Sequence, residues 1–169
     1  PTGSEIIEPG QEPQEGEIIE SNSRMFAAMV SEAGGLPSRH SVIPDDYDLL
    51  KQMIAQAVRE HDLVLVNAGS SAGSEDYTAQ VLRELGEVLI HGVAVKPGKP
   101  LILAIVDNKP VIGLPGYPVS AYLDFQLFVE PVLALYTGLT PPEPMRAEAV
   151  ITRRLVSSLK HREYVRVKV

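Results

Sequence analysis

Apolar positions along the chain recur with two rhythms, one of about 3.6 residues and one of about 2, and the switches between them outline a fold. The first twenty residues are acidic and punctuated by Gly3, Pro9, Gly10, Pro13 and Gly16, so they predict turns around a short extended piece at Ile6-Ile7. Ser21-Asn22 can cap a helix from about Ser23 to Glu32, with Met25, Met29 and Val30 towards a core and Gly34-Gly35 as its stop. Ser41 to Pro44 predicts a short strand. Asp45 and Asp46 then precede an amphipathic helix to about His61, in which Leu49, Leu50, Met53, Ile54, Ala57 and Val58 keep helical spacing. Leu63 to Val66 is an apolar run of strand length, broken by the Gly/Ser-rich segment Ala68 to Gly73 before a third helix from about Glu75 to Leu85.

Val88 to Val95 and Leu101 to Val106 predict further strands, separated by Lys96-Pro97-Gly98-Lys99-Pro100. Asp107-Asn108-Lys109-Pro110 predicts a hairpin turn into Val111 to Leu114, and Pro118 to about Tyr136 a helix bent at Pro131. Strands alternating with helices predict an α/β fold, a three-layer sandwich with a mostly parallel sheet, over residues 1–140. Pro141-Pro142-Glu143-Pro144 predicts a linker. Beyond it Ala147 to Leu155 and Tyr164 to Val169 alternate like half-buried strands, so residues 141–169 are expected to be that linker and the start of a truncated C-terminal β domain.

Composition narrows the function. Of 169 residues 44% are hydrophobic and 22% charged, which suits one globular core with an appendage. The absence of cysteine excludes disulfides, thiolate catalysis and zinc-finger chemistry. No apolar run approaches a membrane span and no secretory signal pattern opens the chain, so a soluble, cytoplasmic protein is expected, without a membrane partner. A net charge of −7 argues against nucleic acid as a partner, and an anionic ligand must then be held by a local site.

Three loops qualify for that site, each expected at the carboxyl end of a strand, where open α/β sheets bind ligands. In the first, Asn67 to Tyr77, Gly69, Ser71 and Gly73 can offer backbone N–H groups to phosphate, while Asp76 on the following helix either favours the helix dipole or holds Mg²⁺. A plain Gly/Ser turn would look the same. The second carries Lys96 and Lys99 about Pro97-Gly98 and closes at Pro100, a stiff pair of cations suited to a tetrahedral oxyanion or phosphate, or else a solvated hairpin tip. The third is the elbow Gly113 to Ala121, in which Pro115, Gly116 and Ser120 surround a predicted helix start; its plainer reading is a proline-stabilised helix start. Asp45, Asp46 and Asp62 are weaker signals, and the four histidines lack ligand spacing. Nothing pairs a serine with a histidine and an acid as a nucleophile requires.

These segments together resemble the molybdopterin molybdenumtransferase family, the MoeA-type proteins whose eukaryotic relatives include the E domain of gephyrin. The resemblance is carried by Thr2-Gly3-Ser4-Glu5, Ser21-Asn22, Ile43-Pro44-Asp45-Asp46, the Asn67 to Tyr77 loop, the run from His91 to Pro100 and the elbow Gly113 to Ala121, in family order. It implies the molybdopterin-binding domain, with a fold similar to the MogA and MoaB proteins. The implied reaction inserts molybdate, or tungstate, into adenylylated molybdopterin with release of AMP and help from a divalent cation, Mg²⁺ or another. By the resemblance, Asp76 and Asp45 would be catalytic, Asp76 and Glu5 would meet the cation, and Lys96, Lys99 and Ser120 would bind the oxyanion and the pterin phosphate. The family usually has Asp where Ser4 stands, Gly-Gly after Asn67 where this chain has Ala68, Val for Ser70 and Asn for Tyr117, so a metal role for the Ser4 turn is weakened and the pocket is reshaped at Tyr117.

The family also places a strand before the Thr-Gly segment, two domains at the N-terminal side and a whole β domain after the linker. This chain alone is therefore expected to bind weakly or not at all and not to turn over, and to form a homo-oligomer, a dimer as the full protein or a trimer as an isolated domain. Two other readings stay open: a MogA-like molybdopterin adenylyltransferase, and a non-catalytic module that binds the pterin or scaffolds a partner.

Overall fold

The structure, a computed structural model, describes residues 1–67, 72–139, 145–157 and 159–168, with residues 72–76 described in their backbone alone. Four strands form the central sheet in the order β3 (Val64–Asn67), β7 (Lys109–Leu114), β6 (Ile102–Val106), β4 (Glu87–His91). β3 and β7 are parallel, with Val64 opposite Val111 and Asn67 opposite Leu114. β6 runs against both its neighbours, because only two residues join it to β7. Asp107 and Asn108 make that turn with φ of 47° and 60°, the left-handed pair that matches strand twist in a tight hairpin. The other three strands share one direction, and the two small ladders outside the sheet, β1 (Ile6–Ile7) with β2 (Ile18–Ile19) and β5 (Val95–Lys96) with β8 (Arg162–Glu163), are parallel too.

Period-2 alternation divides the core into two layers. Val64, Val66, Ala104, Val106 and Val111 pack with Leu50, Ile54 and Val58 of α2 (Tyr47–Glu60) and Ala79, Val81 and Leu82 of α3 (Ala72–Leu85). Leu63, Leu65, Leu103, Ile112 and Leu114 face the opposite way, onto Phe26 and Met29 of α1 (Asn22–Glu32) and onto the long C-terminal helix. The sandwich is therefore helix, sheet, helix, as the alternation of elements predicts. That last helix is α4 (Pro118–Asp124), a π-helical turn (Phe125–Val129) and α5 (Glu130–Thr137). The widened turn lies just before Pro131, which has no N–H for an ordinary helical bond and whose ring crowds the preceding turn.

Several boundaries differ from the pattern. Glu20, not Ser21 or Asn22, closes the start of α1: its carboxylate accepts from Ser23 N at 2.7 Å, Ser23 Oγ at 2.8 Å and Arg24 Nη1 at 2.8 Å, and it is buried while doing so. Glu20→Ala is expected to fray α1 and cost about 1–2 kcal/mol. An unchanged urea midpoint would rule that out. Asp46 caps α2 by accepting from Leu49 N at 2.8 Å, and α3 begins at Ala72 rather than near Glu75. Ser41 to Pro44 contributes a single bridge, Thr2 to Ile43, in place of a strand. Val88 to Val95 is interrupted at Gly92, whose φ of 86° turns the chain away from the sheet and leaves β4 and β5 as separate strands.

The C-terminal alternation does not become a strand at Ala147 to Leu155. Alternation specifies a strand only where a partner offers a ladder and a face to cover, and Val150 and Ile151 are exposed without either among the described residues. After it, among the described residues, only Arg162–Glu163 pairs, with Arg162 N donating to Ala94 O and Tyr164 N to Lys96 O. Among the described residues no helix is long and apolar enough to cross a membrane.

Candidate functional site

Two strands, β3 and β7, end side by side at Asn67 and Leu114, and two helices, α1 and α4, start just beyond them. Parallel strands with following helices put helix starts and loop backbone together at this edge, so a hollow here follows from the topology. A cavity of about 100 Å³ fills it, walled by Glu5, Ile6, Ile18, Ile19, Glu20, Asn22, Asn67, Gly116, Tyr117 and Pro118. The β1–β2 ladder supplies its apolar side. Its polar floor is a pair of buried amides: Asn22 Nδ2 donates to Asn67 Oδ1 at 3.0 Å and to Gly116 O at 2.7 Å, while Asn67 Nδ2 donates to Pro115 O at 2.8 Å and Leu114 O at 3.3 Å. Thr2 N donates to Asn67 O at 2.8 Å, so one asparagine ties the N-terminal segment, α1 and the elbow to the end of β3.

Buried polar atoms in a folded protein nearly always have a partner, and those that do not point to something the chain itself does not supply. Glu5 Oε1 and Asn22 Oδ1, both on cavity-lining residues, are buried without a hydrogen-bond partner among the described residues. Glu5 is held there by the turn it ends. Ser4 N donates to Asp45 Oδ2 at 3.1 Å and Asp45 N to Ser4 Oγ at 3.0 Å, a reciprocal pair that locks residues 2–5 against the segment leading into α2. The serine at position 4 is thus a hydrogen-bond partner of Asp45, and Asp45 itself is exposed.

The elbow has the predicted form. Buried Pro115 follows the last residue of β7, Tyr117 stands extended ahead of Pro118, and Ser120 lies half-buried in the first turn of α4. The second loop stands apart from the cavity. Val93 N donates to Lys99 O and Gly92 N to Leu101 O, closing a turn that presents the exposed Lys96 and Lys99 on either side of buried Gly98, with a cis Lys96–Pro97 peptide, before half-buried Pro100. Lys96 Nζ lies 3.8 Å from Glu163 Oε1, a carboxylate brought there by β8. Among the described residues, then, the cavity gathers Glu5 and Gly116 and is bordered by Pro115, whereas Lys96, Gly98, Lys99 and Pro100 sit on a turn packed against the far end of α4. Gly69 and Ser71 lie outside the described residues. Gly73 and Asp76 are in α3, and their surroundings lie outside them too. Among the described residues no three acids or histidines cluster to hold a metal ion.

Sequence reasoning passed over the two asparagines. Asn22 is read in the sequence as part of a cap and Asn67 as the first residue of the Gly/Ser-rich loop; a polar amide directly after an apolar strand was the available signal.

Residues 1–135 match the family described as "Probable molybdopterin binding domain". A molybdopterin molybdenumtransferase of Nostoc sp. is 33% identical over 169 aligned residues, taking in 97% of this chain and 39% of its own length. The crystal structure of the molybdopterin biosynthesis MoeA protein of Pyrococcus horikosii superposes with a TM-score of 0.74 at 42% identity, over 81% of this chain and 34% of that one. The MoaB protein of Thermus thermophilus, at 20% identity and a TM-score of 0.55, over 71% of this chain and 87% of its own, shares the fold. The chain spans about two fifths of the length of the curated relatives it matches, from 37% to 42%.

Proposed function

Because this chain belongs to the molybdopterin-binding domain family, we propose that it is the pterin-binding domain of a molybdopterin molybdenumtransferase acting in molybdenum cofactor biosynthesis. The whole protein would place molybdate or tungstate on the dithiolene of adenylylated molybdopterin and release AMP. The observation that carries this reading is the cavity at the ends of β3 and β7, with its unpartnered Glu5 and Asn22 oxygens beside the elbow. The Asn22 oxygen suits an amine or amide N–H of a pterin, and the first turn of α4, with Ser120, suits an anion beside it.

Lys96 and Lys99 supply cationic donors for phosphate or the metal oxyanion, where charge-assisted hydrogen bonds are shorter and stronger than neutral ones. The Gly69, Ser71 and Gly73 backbone would hold the same phosphates, with Asp76 and Asp45 as the acids nearest the reacting link. Glu5 fits a divalent cation: its buried Oε1 lacks a partner, and Mg²⁺ usually takes one or two carboxylates, with phosphate and water completing its shell. Such a cation would neutralise phosphate charge as the adenylyl link breaks. A cytoplasmic homo-oligomer, dimeric as the whole protein, completes the proposal.

The test is AMP release by the full-length protein from adenylylated molybdopterin and molybdate. Lys99→Ala is expected to lower kcat/KM about tenfold or more, and Asp76→Asn to lower kcat with substrate still bound. Wild-type rates in both variants would remove these residues from the site. Binding without molybdate-dependent AMP release would favour the non-catalytic module.

A further inference from the structure

Beneath the turn that carries Lys96 and Lys99 lies a carboxylate that the proposed chemistry does not use. Asp124 ends α4 and is fully buried, and neither of its carboxylate oxygens has a hydrogen-bond partner among the described residues. Ala121, Phe125 and Leu101 around it in sequence or at the end of the turn are fully buried as well. Gly98 has a φ of +120°, and a Cβ built on it would overlap the Asp124 carboxylate, coming within 2.7 Å of Cγ. The acid therefore occupies the volume that a side chain at position 98 would fill. An apolar residue would satisfy packing there without the penalty of an unpartnered polar group, so the carboxyl calls for another explanation.

We propose that Asp124 is a positioning residue for the Lys96–Pro100 turn, its carboxyl seated under Gly98 and setting where the two lysines meet an anion. This rests on the reading that Lys96 and Lys99 hold phosphate or the metal oxyanion. Burial pushes the Asp124 carboxyl up to about 7. The charged groups on the elements packed against it are Lys96 and Lys99 on the turn, Arg24 and Glu32 on α1 and Glu130 beyond the π-helical turn. Protonated, the acid adds no negative charge under the anion. Ionised, it draws the ammonium groups inward and repels the incoming anion. Anion binding thus favours the protonated form, and affinity falls as pH rises through the neutral range.

Two readouts test this in the full-length protein. Molybdate is the probe, because the charge of this tetrahedral dianion does not change across the neutral range in which the carboxyl titrates. Wild-type molybdate KM is expected to rise about fivefold across that range, and Asp124→Asn to flatten the dependence. Independently of any ligand, the Gly98 amide resonance in glycine-labelled protein is expected to titrate near neutrality in the wild type and not in Asp124→Asn. Asp124→Ser, smaller and equally unable to ionise, gives the same answer if the asparagine variant folds poorly. A Gly98 resonance that does not move with pH, or a pH dependence of KM that survives both substitutions, overturns the proposal. If Gly98 titrates through Asp124 but Lys99→Ala leaves molybdate KM unchanged, the anion-binding reading of the turn fails and the coupling of Asp124 to the turn stands.

Discussion

Replacing Asn67 by leucine is expected to destabilise the fold by about 3 kcal/mol or more and to open the elbow, because one side chain satisfies three buried partners. Its Nδ2 donates to Pro115 O and Leu114 O, and its Oδ1 accepts a hydrogen bond from Asn22 Nδ2. Leucine fills much the same volume but takes this donor from two carbonyls and this acceptor from one N–H of the Asn22 amide, whose other N–H keeps Gly116 O, in a place that is only 3% exposed. Each such group costs about 1–3 kcal/mol when stranded. Asn67→Asp separates shape from hydrogen bonding: it is isosteric and keeps the acceptor, but it loses both donors and turns a negative oxygen towards two carbonyls. Both variants should therefore lose stability in denaturant unfolding, and the substrate KM of the full-length protein should rise in any preparation that folds. If aspartate sits within about 0.5 kcal/mol of wild type, the amide network is not what holds the elbow.

Much of this architecture was legible because local pattern and tertiary need agree. α2 is an example: Leu50, Ile54 and Val58 recur at helical spacing, Asp46 stands where a cap belongs, and the structure uses both. The Asp107-Asn108 hairpin is another, since both residue types tolerate the left-handed conformation that a two-residue turn demands. Legibility failed where an element depends on distant chain. β2 is two residues long and exists only through Ile6 and Ile7, eleven or more positions earlier. Ala147 to Leu155 shows the converse, an alternating sequence with no ladder to join. Gly92 sits inside an apolar run whose period gives no hint that its φ will end the strand.

The site divides in the same way. Loops announce themselves by composition, so the elbow and the lysine turn could be picked out from their prolines and glycines alone. The partners that fix them could not. Asn22 and Asn67 meet across forty-five positions, and Glu20 caps α1 from outside the expected box. Asp124 had a weak signal: it stands between Ala121 and Phe125 on the buried stripe of an otherwise apolar helix, where a charge breaks the pattern. Only the packing of Gly98 against it gives that break a meaning.

Gly98→Ala is expected to cost about 2–6 kcal/mol and to abolish the anion affinity of the lysine turn. Two independent terms add. A φ of +120° is backbone that residues with a Cβ rarely adopt, worth about 1–3 kcal/mol of strain. The new methyl group would also overlap the Asp124 carboxylate, and this side chain, fully buried on the last turn of α4, has no solvent to swing into. Overpacking of this kind typically costs another 1–3 kcal/mol or so, relieved only by moving the turn. The lysines move with it, since Lys96 and Lys99 are two residues and one residue away. A double-mutant cycle separates the terms. Adding Asp124→Ala to Gly98→Ala removes the overlap but not the strain, so the double variant should regain roughly half of the stability that the glycine substitution loses. Molybdate affinity should return only in part, because the lysines would again have room but no carboxyl beneath them. Strict additivity of the two substitutions in urea unfolding would mean that position 98 and Asp124 do not touch, and the packing that joins the turn to α4 would have to be abandoned.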